Sequence, residues 1–240
     1  MPDNEARLLG SEPVAEGTMA FRFARPAGFA HQAGQSAYLS LLSPAETDEQ
    51  GDARMLTIAS APHEPDLVFA TRMRDTAFKR VLKQARPGLL ASIEGPNGEM
   101  VLHDNPARPA VLLAGGIGVT PFLAMARHAA QERLPHRIFL FYANRRPEDA
   151  AFLEELTGLE RANRNFRLVA TMTAPEKSAR SWSGEKGRID QAMLERHIED
   201  LLEPIYYLAG PPAMTESMRA ILEGAGLGAE SMRSEDFFGY

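Results

Sequence analysis

The chain has 240 residues, 44% of them hydrophobic and 24% charged, a globular composition with room for one large domain or two ordinary ones. Its net charge of −6 argues against a nucleic-acid surface, and no apolar run reaches membrane-spanning length. The absence of cysteine excludes disulfides, thiol nucleophiles and a cysteine-held iron–sulfur cluster from this chain.

The N-terminal stretch MPDNEARLLGSEP is acidic and lacks a continuous apolar core, so it does not read as a signal peptide, and a cytoplasmic location is expected. Short β-type runs then follow, separated by Gly and Pro: MAFRFA (19–24), SAYLSLL (36–42), RMLTIAS (54–60), DLVFATRM (66–73) and LLASIEG (89–95). MAFRFA alternates apolar and polar residues, the period of a half-buried antiparallel strand. TAFKRVLKQ (76–84) reads as a helix. This spacing predicts a small antiparallel Greek-key β-barrel over residues 1–104.

Beyond the polar, Pro-rich LHDNPARP the pattern changes to alternating strand and helix. Strands are expected in PAVLLAG (109–115), RIFLFYAN (137–144), FRLVATM (166–172) and PIYYLAG (204–210). Helices are expected in TPFLAMARHAAQERL (120–134), PEDAAFLEEL (147–156), IDQAMLERHI (189–198) and PPAMTESMRAILEGAG (211–226). Such alternation implies a parallel-sheet α/β domain, residues 105–240, with helices on both faces. The six His residues show no metal-ligand spacing, and no metal is expected.

Gly115, Gly116 and Gly118 fall between the first strand of this domain and its first helix. Glycines there permit a tight turn and close approach of backbone N–H groups to a phosphate, which the helix N-terminus favours. The spacing is neither G-x-G-x-x-G nor a P-loop, so a purely structural turn stays open on this segment alone. GGIGVTPF resembles the pyridine-nucleotide motif of the ferredoxin–NADP reductase family. RMLTIAS resembles that family's Arg-x-Tyr-Ser flavin motif, AGPPAM (209–214) its Cys-Gly-Pro motif, and SEDFFGY (234–240) its acidic and aromatic C-terminus. AGQSAYLSL (33–41) and EGPNG (94–98) match the strand before the flavin motif and the turn closing the barrel. These matches are collinear and span nearly the whole chain.

The resemblance implies FAD, in preference to FMN, at the barrel edge and NAD(P)H on the α/β domain. Arg54 would pair with flavin phosphate, its alternative being a solvated charge beside Asp52. Met55, Leu56 and Thr57 would line the flavin, with Thr57 bonding its reactive edge, and Arg72 and Met73 would flank its chain. Thr76 would open a helix whose N–H groups hold the pyrophosphate, or be a plain first-turn residue. On the nucleotide side the same resemblance assigns Gly116, Gly118, Thr120 and Pro121 to the pyrophosphate, and Gly210 and Pro211 to the nicotinamide. Asn144 and Arg145 would meet the adenosine ribose. Arg145 and Arg188 match two of three basic positions that bind a 2′-phosphate, which favours NADPH over NADH; Lys177 is the one candidate for the third. At the C-terminus, Glu235 is read as a solvated acid or a hydrogen-bonding group in the site. One of the tail aromatics Phe237, Phe238 and Tyr240 would cover the flavin ring, with burial in the core as the rival explanation.

Two positions depart from the family. Leu56 stands where Tyr or Phe usually meets the flavin, and Ala209 where Cys often lies beside the nicotinamide. The basic run Arg72, Arg74, Lys79, Arg80, Lys83, Arg86 reads as a solvated helix face or a docking patch for an acidic carrier. The expected activity is NAD(P)H-dependent electron transfer through FAD to an external acceptor, a small iron–sulfur protein of ferredoxin type. The alternatives are a reductase of free flavin and a non-catalytic nucleotide-binding regulatory subunit.

Overall fold

The computed structural model describes residues 4–237. Its first half is an antiparallel sheet in the order β4-β3-β6-β1-β2-β5, built from β1 (Glu5–Ala15), β2 (Thr18–Ala24), β3 (Ser36–Leu41), β4 (Ala53–Thr57), β5 (Asp66–Arg72) and β6 (Leu90–Asn97). A bridge between Ile58 and Phe69 joins the two ends and closes the barrel. Its interior holds Leu8, Phe21, Phe23, Leu39, Phe69 and Ile93, with Phe23 edge-on to Phe69 at 6.2 Å. Each such buried Phe contributes roughly 1.5–3 kcal/mol. Helix α1 (Ala77–Gln84) turns Phe78 and Leu82 into this core.

β1 is absent from the sequence reading. Only Ala6 and Leu8 of this strand are buried, and its register shifts after Leu8 and again after Pro13. The bulges break the period of two on which strand recognition depends.

The second half is a parallel sheet, order β10-β9-β8-β7-β11-β12. Its strands are β7 (Ala110–Gly115), β8 (Ile138–Asn144), β9 (Phe166–Met172), β10 (Glu185–Lys186), β11 (Ile205–Gly210) and β12 (Met232–Asp236). Along β7, Leu112 and Ala114 face one apolar cluster while Val111 and Leu113 face the other. Helices α2 (Thr120–Gln131) and α3 (Leu153–Ala162) pack on the first face. Helices α4 (Gln191–His197) and α5 (Pro212–Gly224) pack on the second. The first cluster also takes in Ala33, Ala59 and Met100 of the first half, so the barrel rests on the α2 side. The expected division at 104/105 falls within the connection from β6 to β7.

One helix differs from its expected span of 147–156. Pro147–Asp149 form a 3-10 turn, and α3 starts only at Leu153. Asp149 accepts from the Arg146 backbone N–H at 3.1 Å and from its guanidinium, which caps the short turn. Phe152 then adopts a left-handed φ of 59°, breaking the helix. β10 and β12 also went unread, because EK and MRSED carry no apolar alternation.

Candidate functional site

The strand order reverses between β7 and β11, and their following helices leave toward opposite faces of the sheet. Ligands of open α/β sheets bind in the crevice that such a reversal opens. Here the two strand ends approach too closely for side chains. A Cβ on Gly210 would stand 3.1 Å from the Gly115 Cα, and one on Gly118 would collide with the Ala209 carbonyl. Gly116 has φ +54° and open space where a Cβ would be, at the start of the 3-10 turn Gly116–Val119. Thr120 and Pro121 lie beneath this turn, buried in the first turn of α2. The Thr120 hydroxyl donates to the Ile117 carbonyl at 3.1 Å, so it holds the turn in shape.

The crevice continues into a cleft of about 830 Å³ between the sheet and the barrel hairpin Glu16–Thr18. Gly116, Asn144, Arg145, Arg188, Pro211 and the barrel residue Arg72 all line it. Gly118 and Gly210 do not line it; they lie where the ends of β7 and β11 close together. Asn144 is buried, and its Nδ2 and Oδ1 meet no hydrogen-bond geometry, although the carboxamide lies close enough to the Tyr142 hydroxyl to influence it. An orphaned carboxamide at the cleft wall is a donor–acceptor pair suited to a hydroxylated ligand.

The cleft is cationic. Arg72, Arg145, Arg146, Lys177 and Arg188 line it against the two acids Glu16 and Asp149. Both acids are spent on Arg146, whose guanidinium lies 2.7 Å from Glu16 and 2.8 Å from Asp149. Arg145, Lys177 and Arg188 are exposed, and among the described residues they form no ion pair. The adjacent arginines therefore differ: Arg146 ties the barrel hairpin to the sheet, and Arg145 keeps its charge for a ligand. The sequence could not separate them, because Glu16 is 130 residues away. Lys177 does reach the same cleft.

A second cationic site lies at the start of α1. Burial, then Arg74, Arg54 and Arg72, push the Lys79 ammonium below its usual range. Four cations thus converge at the N-terminus of α1, an arrangement that favours a polyanion. Thr76 caps the helix, its Oγ1 accepting from Lys79 N at 3.4 Å. The Ala77 N–H donates to Asp48 Oδ2 at 2.6 Å, and this bond holds the Asp48 carboxyl below the usual range. A carboxylate from the 42–52 loop thus sits on the expected phosphate seat. Arg54 Nη1 donates to the carbonyls of Gln50, Gly51 and Ala53 at 2.8, 3.2 and 2.7 Å, and its guanidinium lies 5.0 Å from the Phe78 ring centre. No ion pair joins it to Asp52. Arg80 is bound by Glu46 and Asp75, which reduces the free basic face of α1.

The other flavin-side residues are spread along β4 and β5. Met55 is 57% exposed, Leu56 packs half-buried against the barrel core, and Thr57 is buried opposite Ser36. Met73 donates its N–H to the Gly17 carbonyl at 2.8 Å, fixing the strand end beside the cleft.

At the C-terminus Glu235 pairs in register with Ala209 of β11. Burial raises its carboxyl above the usual range, and its Oε1 lies against Gly98 of the barrel. The reading of Glu235 as a fully solvated acid is therefore corrected: its position against the barrel leaves it half-buried. The Phe237 N–H donates to the Gly210 carbonyl at 3.1 Å, and its ring packs half-buried on the central cluster. Phe238 and Tyr240 lie outside the described residues.

Comparison with known proteins identifies this architecture. Residues 112–220 match the oxidoreductase NAD-binding domain family. The whole described chain superposes on a ferredoxin NADP+ reductase from Neisseria gonorrhoeae, with bound FAD and NADP, at a TM-score of 0.81 and 20% identity, covering 98% of each chain. The chain has the ferredoxin–NADP reductase fold. A ferredoxin reductase of carbazole 1,9a-dioxygenase gives a TM-score of 0.80 at 22% identity, over 98% of this chain and 69% of that one. In sequence, the chain is 28% identical over 223 residues to the glycine betaine monooxygenase reductase subunit of Chromohalobacter salexigens, covering 92% of this chain and 60% of that protein. It is also 28% identical over 213 residues to ferredoxin–NADP reductase B of Sorangium cellulosum, covering 87% of this chain and 82% of that protein. The chain thus spans about 60% of the length of the oxygenase-reductase relative. No helix among the described residues is long and apolar enough to cross a membrane.

Proposed function

We propose that the protein is an NAD(P)H-dependent flavoprotein oxidoreductase that passes electrons through FAD to an external acceptor, a small iron–sulfur protein of ferredoxin type. The observation that carries this reading is the pair of cationic sites meeting at Arg72: it lines the cleft beside the β7 glycine turn and lies close enough to Lys79 to act on its charge. Two polyanionic nucleotides brought together across one residue suit a hydride-transfer flavoprotein. A relative named as a ferredoxin–NADP reductase supports the class of acceptor, and others are named as reductase subunits of monooxygenases. A cytoplasmic location is part of the same proposal.

The residues fit the two groups. Bound flavin would supply the conversion of a two-electron donor into one-electron delivery. Arg54, Arg74, Lys79 and the α1 N-terminus would hold its phosphates, and four cations favour the diphosphate of FAD over the single phosphate of FMN. Thr57 would bond its edge, with Met55, Leu56 and Met73 alongside. Gly116 and Gly118 would admit the nucleotide pyrophosphate, with Thr120 and Pro121 supporting the turn. Asn144 would meet the ribose, and Arg145, Arg188 and Lys177 a 2′-phosphate, which favours NADPH. Gly210 and Pro211 leave the approach to the flavin unobstructed. Glu235, half-buried beside Ala209, would hold a proton within the site. Phe238 or Tyr240 would cover the flavin ring.

The Asp48 carboxylate favours a second reading, in which flavin exchanges and free flavin is the acceptor. One experiment separates them. Protein incubated with excess FAD, desalted and mixed anaerobically with NADPH should stay yellow and bleach. Colour lost on desalting, with NADPH-dependent reduction only when free flavin is added, supports the second reading. Flavin retained but unreduced by either nicotinamide cofactor would overturn both and leave a nucleotide-binding subunit.

A further inference from the structure

Away from both anion sites, two imidazoles and a carboxylate meet on the seam between the halves of the molecule. His128 and Glu132 lie four residues apart at the end of α2, so they share one side of the helix. His63 reaches them from the loop that precedes β5. One ligand atom from each of the three lies within 4.8 Å of the others. The His63 and His128 rings are 6.4 Å apart and within 22° of parallel.

This meeting is held in place by its neighbours. Glu64, next to His63, is 3.2 Å from Arg127, next to His128. Arg127 also donates to the Ala59 carbonyl at 3.2 Å and is clamped by Glu155 at 2.5 Å. Glu64 in turn accepts from the Ala61 N–H at 2.6 Å, which fixes the loop carrying His63. The 64–127 ion pair thus sets the register in which residue 63 faces residue 128. The Nδ1 of His128 is buried without a hydrogen-bond partner.

We propose that His63, His128 and Glu132 form a site for a divalent transition metal, Zn(II) in the first instance, that clamps the barrel loop to helix α2. Two imidazoles and one carboxylate suit Zn(II), with water in the fourth position. Zinc–ligand bonds of about 2.0–2.2 Å need closer ligand atoms than 4.8 Å. Closing that difference falls to the side chains of His63 and Glu132, which are exposed. The sequence hides the site because its two halves are 65 residues apart in the chain.

The test is isothermal titration of ZnCl2 into the purified full chain, with melting temperature followed in parallel. One equivalent should bind and raise the melting temperature, because the metal joins two elements that separate on unfolding. His63→Ala and His128→Ala should each weaken binding by about ten-fold or more and abolish the thermal shift. Glu132→Gln should weaken it less than either histidine variant. Both histidine variants alter partly exposed side chains, and their melting temperatures without zinc report whether they fold. No stoichiometric binding by wild type would overturn the site. So would a folded His63→Ala protein that binds zinc as tightly as wild type.

Discussion

Replacing Arg145 with alanine should separate NADPH from NADH. Arg145 lies on the cleft wall with its guanidinium exposed and without an ion pair among the described residues, so no internal carboxylate competes for it. A charged hydrogen bond to a 2′-phosphate contributes roughly 1.5–3 kcal/mol, or about a ten- to hundred-fold change in affinity. Arg145→Ala should therefore raise the Kd for NADPH by that factor and leave the Kd for NADH within about two-fold. Arg146→Ala is the control. Its charge is already met by Glu16 at 2.7 Å and Asp149 at 2.8 Å. Its removal should lower the melting temperature by freeing the barrel hairpin from the sheet, yet leave the ratio of the two Kd values unchanged. Anaerobic stopped-flow measurement of flavin reduction against cofactor concentration gives both constants. Equal weakening of NADPH and NADH by Arg145→Ala, or a larger change in their ratio from Arg146→Ala, would refute the assignment.

Asp48→Asn should tighten FAD binding about two- to five-fold, because it removes a charge from the N-terminus of α1 that the flavin phosphates would otherwise displace; fluorescence titration with an affinity no better than wild type would count against the shared seat. Glu235 has a folded-state pKa raised above its unfolded value, so its contribution to stability is present below the unfolded value and lost as pH rises through the folded one. Glu235→Gln should accordingly raise the melting temperature at pH 8 and change it little near pH 4, and an equal shift at both would refute burial as the cause. His31, His103 and His128 are all held below their usual pKa, chiefly by burial. The unfolded chain takes up their protons first, so stability should fall as pH drops below the unfolded value of 6.5. His31→Gln should flatten that fall in a series of thermal melts from pH 7.5 to 5; an unchanged slope would show that the carboxylates dominate it.

Local signals carried most of the fold. The strands and helices whose apolar residues keep a strict period appear in the structure at their expected places, from MAFRFA to PIYYLAG. What failed to register lacked a period or broke it. β1 carries two bulges, β12 is a polar edge strand that borrows its order from β11, and the turn at Phe152 delays α3. The cleft was partly legible, because glycines between a strand and a helix carry their reason with them. The state of each charge was not. Arg145 and Arg146 look alike in sequence, and their difference rests on Asp149 in the turn that follows and on Glu16 in the opposite half of the molecule. Nothing in the sequence around Asp48 signals that the fold lays its carboxylate on α1. Ion pairing across the fold depends on three-dimensional approach, which composition and spacing do not encode.

The same dependence on distant contacts explains how two separately built sites can act as one. Arg72 ends β5 and pairs in register with Thr18 of the barrel hairpin. That hairpin is tied to the α/β half twice, by the Glu16 N–H donating to the Glu148 carbonyl at 2.8 Å and by the Glu16–Arg146 ion pair. The position of Arg72 over the cleft is thus set by contacts that belong to neither nucleotide. Anything that loosens the hairpin displaces a charge shared by both sites, so binding of the two ligands should weaken together even where no binding residue has changed. The contacts that tie the barrel hairpin to the α/β half help build the fold, and the same contacts set the distance between the two proposed nucleotide sites.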